Sequence, residues 1–217
     1  MTPVATLARI QLNPLSRTVQ RDLRDAVQVH KTLMKLLPDN LGDTPRKDTG
    51  LLYRLDETDE SSTLIVQSRT PLDATRLPAD YGQIDVKDLA PMFGALRKGL
   101  AVRYRIVLNP VKRERLPLDR KNERGRIIPL NGPDADQWWN RRAADAGLHL
   151  HTLLPTPISP ARPRTKNAPP IRHSLLRYDG TATVTDPHTL TEAVLTGIGR
   201  GKPYGAGLLS LAPATSA

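Results

Sequence analysis

Five glycines fall within the eleven residues Gly197-Ile198-Gly199-Arg200-Gly201-Lys202-Pro203-Tyr204-Gly205-Ala206-Gly207. Glycine tolerates positive φ and lets the backbone approach a partner closely. Successive N–H groups in such a loop can converge on an anion, and Arg200 and Lys202 bring positive charge to the same place. The segment follows a helical stretch, Leu190 to Thr196, and leads into an apolar strand, Leu208 to Leu211. That context excludes a dinucleotide fingerprint, which follows a strand and opens a helix, and no Gly-Lys-Ser/Thr completes a Walker A motif. Two readings stand: a phosphate-contacting loop, or a glycine-rich turn packed against a sheet.

The remaining pattern alternates strands and helices. Val4 to Leu12 alternates apolar and polar residues as a half-buried strand does. From Arg17 to Leu37, Val19, Leu23, Ala26, Val27, Leu33, Met34 and Leu37 recur at helical spacing, and Pro38 ends the helix. Leu51 to Leu55 and Thr63 to Gln67 read as a hairpin around Glu57 to Ser61. Pro71 to Asp80 is proline-broken with at most a short helix, and Tyr81 to Leu89 is a further strand. The order then repeats. Leu100 to Leu108 is a strand, and Asp134 to Gly147 is a helix with Asp134 as N-cap and Gly147 as C-cap. Leu148 to Leu154 is a strand, followed by a proline- and arginine-rich loop from Pro155 to Pro170. Ile171 to Tyr178 and Thr181 to Thr185 read as a hairpin turning at Asp179-Gly180. A helix from Pro187 to Gly197 and a strand from Gly205 to Leu211 close the chain. The expectation is an α+β fold of two tandem ferredoxin-like (RRM-like) βαββαβ domains, residues 1–95 and 96–217.

A formal net charge of +10 points to a polyanionic partner, most often nucleic acid. The alternative is a soluble basic protein with no such partner. Positive charge gathers in three loops. Lys112, Arg113, Arg115, Arg120, Lys121, Arg124 and Arg126 form an arm or long hairpin after the strand that carries Arg105. Arg162, Arg164 and Lys166 lie in the proline-rich loop, and Arg200 and Lys202 in the glycine-rich one. Singly each reads as a solvated loop; together they suit a duplex or hairpin followed along its backbone. The exposed aromatic pairs with which an RRM stacks single-stranded bases are missing. Cysteine is absent, which excludes disulfides and thiolate chemistry. No apolar run is long enough to cross a membrane and no signal-peptide pattern opens the chain, so a cytoplasmic protein is expected.

Among the five histidines, His149 and His151 lie two apart on one strand face, and no third ligand accompanies them. No metal and no cofactor are expected. His173 sits between basic residues and His188 at a helix start. His30 falls within the apolar stripe of the first helix. It is either a satisfied core histidine or an imidazole bordering a cleft, where it would titrate near neutrality and move protons.

Three segments carry a resemblance to a known family: RDLRDAVQVHKTLMKLLPD with its histidine, AVRYRIVLNPVKRER, and the terminal GIGRGKPYGAGLLSLAP. The chain resembles, nearly end to end, the CasE (Cse3) branch of CRISPR repeat-RNA endoribonucleases from type I-E systems. The resemblance implies two tandem ferredoxin-like domains and metal-independent cleavage at the 3′ base of the repeat stem-loop, leaving a 2′,3′-cyclic phosphate. It implies the CRISPR precursor RNA, the mature crRNA hairpin and the other subunits of the Cascade complex as partners, and no membrane. His30 falls where the family's catalytic histidine lies, and the arm after Asn109 where the family grips the stem. Some members carry a tyrosine three residues before the histidine; here that position is Val27. Lys31, Lys202 or Tyr204 are the groups that would compensate. A non-catalytic RNA-hairpin-binding subunit with an inert His30 is the alternative, and a basic protein-interaction module is a third.

Overall fold

The computed structural model describes residues 4–39, 41, 45–117, 122–158 and 174–214. The first sheet holds β1 (Thr6–Leu12), β2 (Leu52–Glu57), β3 (Ser62–Ser68) and β4 (Gly82–Asp88), in the order β2-β3-β1-β4 with every pair antiparallel. The second is built on β5 (Ala101–Leu108), β8 (Leu148–Leu150), β9 (Leu154–Ile158), β10 (Leu175–Val184) and β11 (Leu209–Pro213). Its order is β11-β5-β10, with β8 and β9 pairing successive lengths of β10. Both sheets therefore carry the 4-1-3-2 arrangement of a βαββαβ unit, and the fold is α+β with two tandem ferredoxin-like units.

The expected single helix from Arg17 to Leu37 is instead two, α1 (Arg17–Leu23) and α2 (Ala26–Met34). Asp25 breaks it: its backbone is extended, and its carboxylate accepts a hydrogen bond from Val27 N at 2.9 Å as the N-cap of α2. The bend folds α2 back on α1 around Asp22, which is fully buried. Asp22 accepts from Thr32 Oγ1 and the Tyr81 hydroxyl and pairs with Arg21 at 2.8 Å. Ile10, Leu33, Leu36, Leu37 and Leu64 pack beside this polar knot. A short helix, α3 (Pro45–Thr49), follows between α2 and β2.

Further expectations change in the second unit. Asp179-Gly180 does not turn; β10 runs straight through it. Asp179 accepts from Arg105 Nε of the neighbouring strand at 2.6 Å. A Cβ on Gly180 would stand 2.1 Å from the Thr152 carbonyl oxygen, so this glycine serves a close approach where β8 gives way to β9. Residues 154–158 form a strand despite Pro155 and Pro157 because β9 lies at the sheet edge, paired only with β10. The N-cap of α5 (Gly132–Asp145) is Asn131, not Asp134, which lies in the first turn. Gly147 lies one residue beyond the C-cap Ala146, at φ 79°. The strand after the glycine-rich loop is β11, which starts at Leu209, four residues later than expected. α4 (Ala90–Ala95) links the two sheets, and α6 (Pro187–Thr196) packs under the second. Trp139 fills that core and donates from Nε1 to the Tyr104 hydroxyl at 3.3 Å.

The two units meet through buried polar contacts along β2 and β3. Arg54 is only 4% exposed. It grips Asp56 through two 2.8 Å hydrogen bonds and reaches the second sheet at Ser210 Oγ (2.8 Å) and the Arg105 carbonyl (3.3 Å). Gln67 Nε2 donates to the Val194 carbonyl of α6 at 2.8 Å. These contacts fix β2 and β3 of the first unit against β5, β11 and α6 of the second.

Candidate active site

The glycine-rich loop carries a 3₁₀ turn, Lys202–Tyr204, bracketed by Gly201 and Gly205 at φ 87° and 83°. Those left-handed conformations cost glycine nothing and other residues about 1 kcal/mol or more. α2 packs against this turn. Tyr53, 3% exposed, is the strut between them: its hydroxyl lies 3.0 Å from the Pro203 carbonyl and 3.3 Å from the Ala26 carbonyl. Burial raises its pKa well above the usual phenol value, so it stays a neutral donor. A Cβ on Gly205 would lie 3.2 Å from the Tyr53 ring, so glycine there lets the loop close on the strut.

Ala26 and His30 are four residues apart and share a flank of α2. His30 is half-buried, and its Nδ1 is enclosed without a hydrogen-bond partner. The imidazolium needs two acceptors, so this setting favours the neutral ring. Burial lowers its pKa, and the nearby Arg46 guanidinium lowers it further. Half-buried and unpartnered at Nδ1, His30 lacks the hydrogen bond there that a core histidine would normally have. Lys202, half-buried, donates from Nζ to the Thr196 carbonyl at the end of α6 at 2.7 Å. Burial and the same Arg46 depress its pKa too. Arg46 of α3 is therefore near enough to both His30 of α2 and Lys202 of the loop to lower the pKa of each. Arg46 was invisible in the sequence, one basic residue in an irregular polar stretch.

The loop offers fewer free donors than its glycines suggest. The N–H groups of Gly197, Ile198 and Tyr204 to Gly207 already bond backbone carbonyls, which leaves Gly199 to Lys202 to meet an anion. Gly197 has φ 73° and ψ 156°, a region essentially reserved for glycine and costing other residues about 1–3 kcal/mol. A Cβ there would also lie 2.8 Å from Leu52 Cδ2. Gly197→Ala is expected to lower the melting temperature by roughly 2–4 °C for each kcal/mol lost. An unchanged thermal melt would contradict that.

The other expected site residues scatter. Lys31 is exposed on α2 and makes no ion pair with any described residue. Tyr204 is half-exposed and lines a cavity of about 130 Å³ with Tyr53, Ala26 and Val29. Arg105 is compensated by Asp179 (2.6 Å) and Asp56 (3.8 Å), so its charge is already matched within the protein. The arm begins as a two-stranded hairpin, β6 (Val111–Arg113) with β7 (Ile127–Pro129). Arg113 donates to the Gly125 carbonyl at 2.7 Å, and Lys112 pairs with Asp134 at 3.6 Å. Arg115, Arg124 and Arg126 are exposed on it, as is Arg200 on the loop. Arg120, Lys121, Arg162, Arg164, Lys166 and His173 lie outside the described residues. His149 and His151 stack edge to face at 5.2 Å, and His151 bonds Thr183 at 2.7 Å. No group of three metal-ligating side chains occurs among the described residues. None of the described helices is long and apolar enough to cross a membrane.

Residues 7–213 match the family described as CRISPR associated protein. The chain is 28% identical to the CRISPR-associated endoribonuclease Cse3 of Thermus thermophilus, over 95% of this chain and 99% of that one. The structure of Thermus thermophilus Cse3 bound to an RNA representing a pre-cleavage complex superposes with a TM-score of 0.80 at 28% identity, covering 97% of this chain and all of that one. A chain of a CRISPR RNA-guided surveillance complex in a pre-nicking state is similar at 38% identity and a TM-score of 0.67, covering 96% of this chain and 99% of that one.

Proposed function

The chain belongs to the CRISPR associated protein family, and from that premise we propose that it is the endoribonuclease that matures CRISPR repeat RNA. In this reading it binds the repeat stem-loop, cuts at the 3′ base of the stem without a metal, and stays on the product as a subunit of the Cascade complex. Residues 1–95 form the domain that presents His30, and residues 96–217 the domain that grips the stem. The observation that carries the reading is the packing of α2, which bears the half-buried His30, against the turn of the opposing unit that bears Lys202, with Arg46 near enough to each to lower its pKa. His30 takes the proton of the 2′-hydroxyl 5′ to the cut. The 2′-oxygen attacks the adjacent phosphorus, the 5′-oxygen leaves and is protonated, and a 2′,3′-cyclic phosphate and a 5′-hydroxyl result. Lys202 and Arg46 stabilise the charge that grows on the phosphorane. The exposed arm residues Lys112, Arg115, Arg124 and Arg126, together with Arg200, follow the stem phosphates. Tyr53 holds α2 and the loop in register, and Val27 leaves no hydroxyl on that turn of α2.

A second reading has one observation in its favour: Lys202 Nζ is already bonded to Thr196. A scaffold that binds the hairpin without cutting would need no more. Incubation with the cognate repeat transcript separates the two: a single cut supports the enzyme, and intact bound RNA supports the scaffold.

The pH dependence follows from His30. A base with a lowered pKa keeps its neutral form below pH 6.5, the value of an unperturbed histidine. Activity is lost only as pH falls through that lowered value. The acid limb of kcat/KM, which reports the free enzyme, is therefore expected below 6.5. Arg46→Gln removes one of the two causes and should move the limb upward. A limb at or above 6.5 in the wild type would contradict the assignment.

A further inference from the structure

α1 and α2 also line a basic groove that none of these roles uses. Arg17, Arg21 and Arg24 follow one another at spacings of four and three, so they share one flank of α1. With Gln20, Asp25 and Gln28 they line a groove of about 510 Å³. Arg21 is held by Asp22 at 2.8 Å, and Asp25 caps α2 through Val27 N at 2.9 Å. Arg17 and Arg24 are exposed and pair with no carboxylate among the described residues.

The geometry of α2 connects this groove to His30. At about 100° per residue, His30 shares the flank of Ala26, which Tyr53 ties to the glycine-rich loop, and Gln28 lies nearly opposite, on the groove side. Val27 and Lys31 form the crest between them, and Lys31 is exposed. We infer that the groove holds the single-stranded RNA that continues 3′ of the cut, reached by a strand that crosses α2 over Lys31. This rests on the endoribonuclease reading. The stem is gripped by the C-terminal unit on the His30 side of α2. The strand leaving the scissile phosphate therefore emerges on the other side, after crossing a helix roughly 10–12 Å wide. There two unmatched guanidinium groups meet its phosphates. Charge complementarity and continuity with the cleavage site identify the occupant as the leaving strand.

The test uses two repeat RNAs made uncleavable by a 2′-deoxy sugar at the cut. One ends at the cut, and the other continues several nucleotides 3′. Wild type and Arg17→Gln/Arg24→Gln are compared, which leaves the Arg21–Asp22 pair intact. Each phosphate contacted in a single strand adds about 0.7 to the salt slope, so two or three contacts make the extended RNA's advantage shrink roughly tenfold between 50 and 200 mM salt. That advantage is expected in the wild type and lost in the double variant, with both proteins binding the short hairpin alike. Equal affinity of the wild type for both RNAs would overturn the inference, and so would an advantage that survives in the double variant. If the double variant loosened only the association with another protein subunit, the groove would be a protein-docking surface and the inference would fall. Failure of the wild type to bind either RNA would instead bring down the endoribonuclease reading on which it rests.

Discussion

Replacing His30 with alanine is expected to slow repeat-RNA cleavage by about 10²- to 10⁴-fold, the usual worth of a positioned general base, while hairpin affinity changes little. Two features of the site set this expectation. The imidazole Nδ1 is enclosed without a hydrogen-bond partner among the described residues, so truncation loses no structural hydrogen bond at that atom. Burial and Arg46 lower its pKa, which favours the unprotonated form that the proposed reaction needs. The proposed stem contacts lie on the other unit, which is why binding should survive. Single-turnover rates at saturating protein, beside a binding isotherm, check both halves. A variant that cuts as fast as the wild type would remove His30 from the mechanism. One that neither binds nor melts cooperatively would make it a structural residue.

Lys202→Met is expected to lower the cleavage step by about 10²- to 10³-fold, in the range seen when one group stabilising an oxyanion is removed. Methionine keeps much of the apolar stem that lies near Gly207 and removes the charged amine with its hydrogen bond to Thr196. The competing role is visible in the resting protein, where Nζ closes the end of α6 at the Thr196 carbonyl. If capping were its whole purpose, the variant would lose thermal stability and keep its single-turnover rate. A large rate loss with a melting temperature within a few degrees of the wild type would assign Lys202 to the transition state. Lys202→Arg, which keeps the charge, should then recover part of the rate.

The sequence made the framework legible where pattern and physics coincide. Alternation in residues 4–12, the apolar-rich strand of residues 100–108 and the apolar stripe beginning at Val19 marked two strands and the first helical region, and the element order marked both ferredoxin-like units. It misled where one residue serves a tertiary contact. Asp25 looks like one more polar position in an amphipathic helix, yet its cap ends one helix and starts another. Asp179-Gly180 has the composition of a tight turn, but Asp179 answers Arg105 across the sheet and Gly180 makes room for Thr152. The same limit applies to the site. His30 stood out because a titratable ring sat in an apolar stripe. Arg46 could not, because its role comes only from where α3 is packed. The glycine pattern correctly marked the loop, but not that most of its N–H groups bond backbone carbonyls in the loop and in its neighbours. Arg105 looked available in sequence and is matched by two aspartates in the fold.

The most direct test of the central claim is the end group left on a labelled cognate repeat hairpin after incubation with the wild-type protein in EDTA. The account predicts a single cut at the 3′ base of the stem, a 2′,3′-cyclic phosphate on the upstream fragment, and no such product with His30→Ala. A cut that disappears in EDTA, or one that leaves a 3′-hydroxyl, would contradict it.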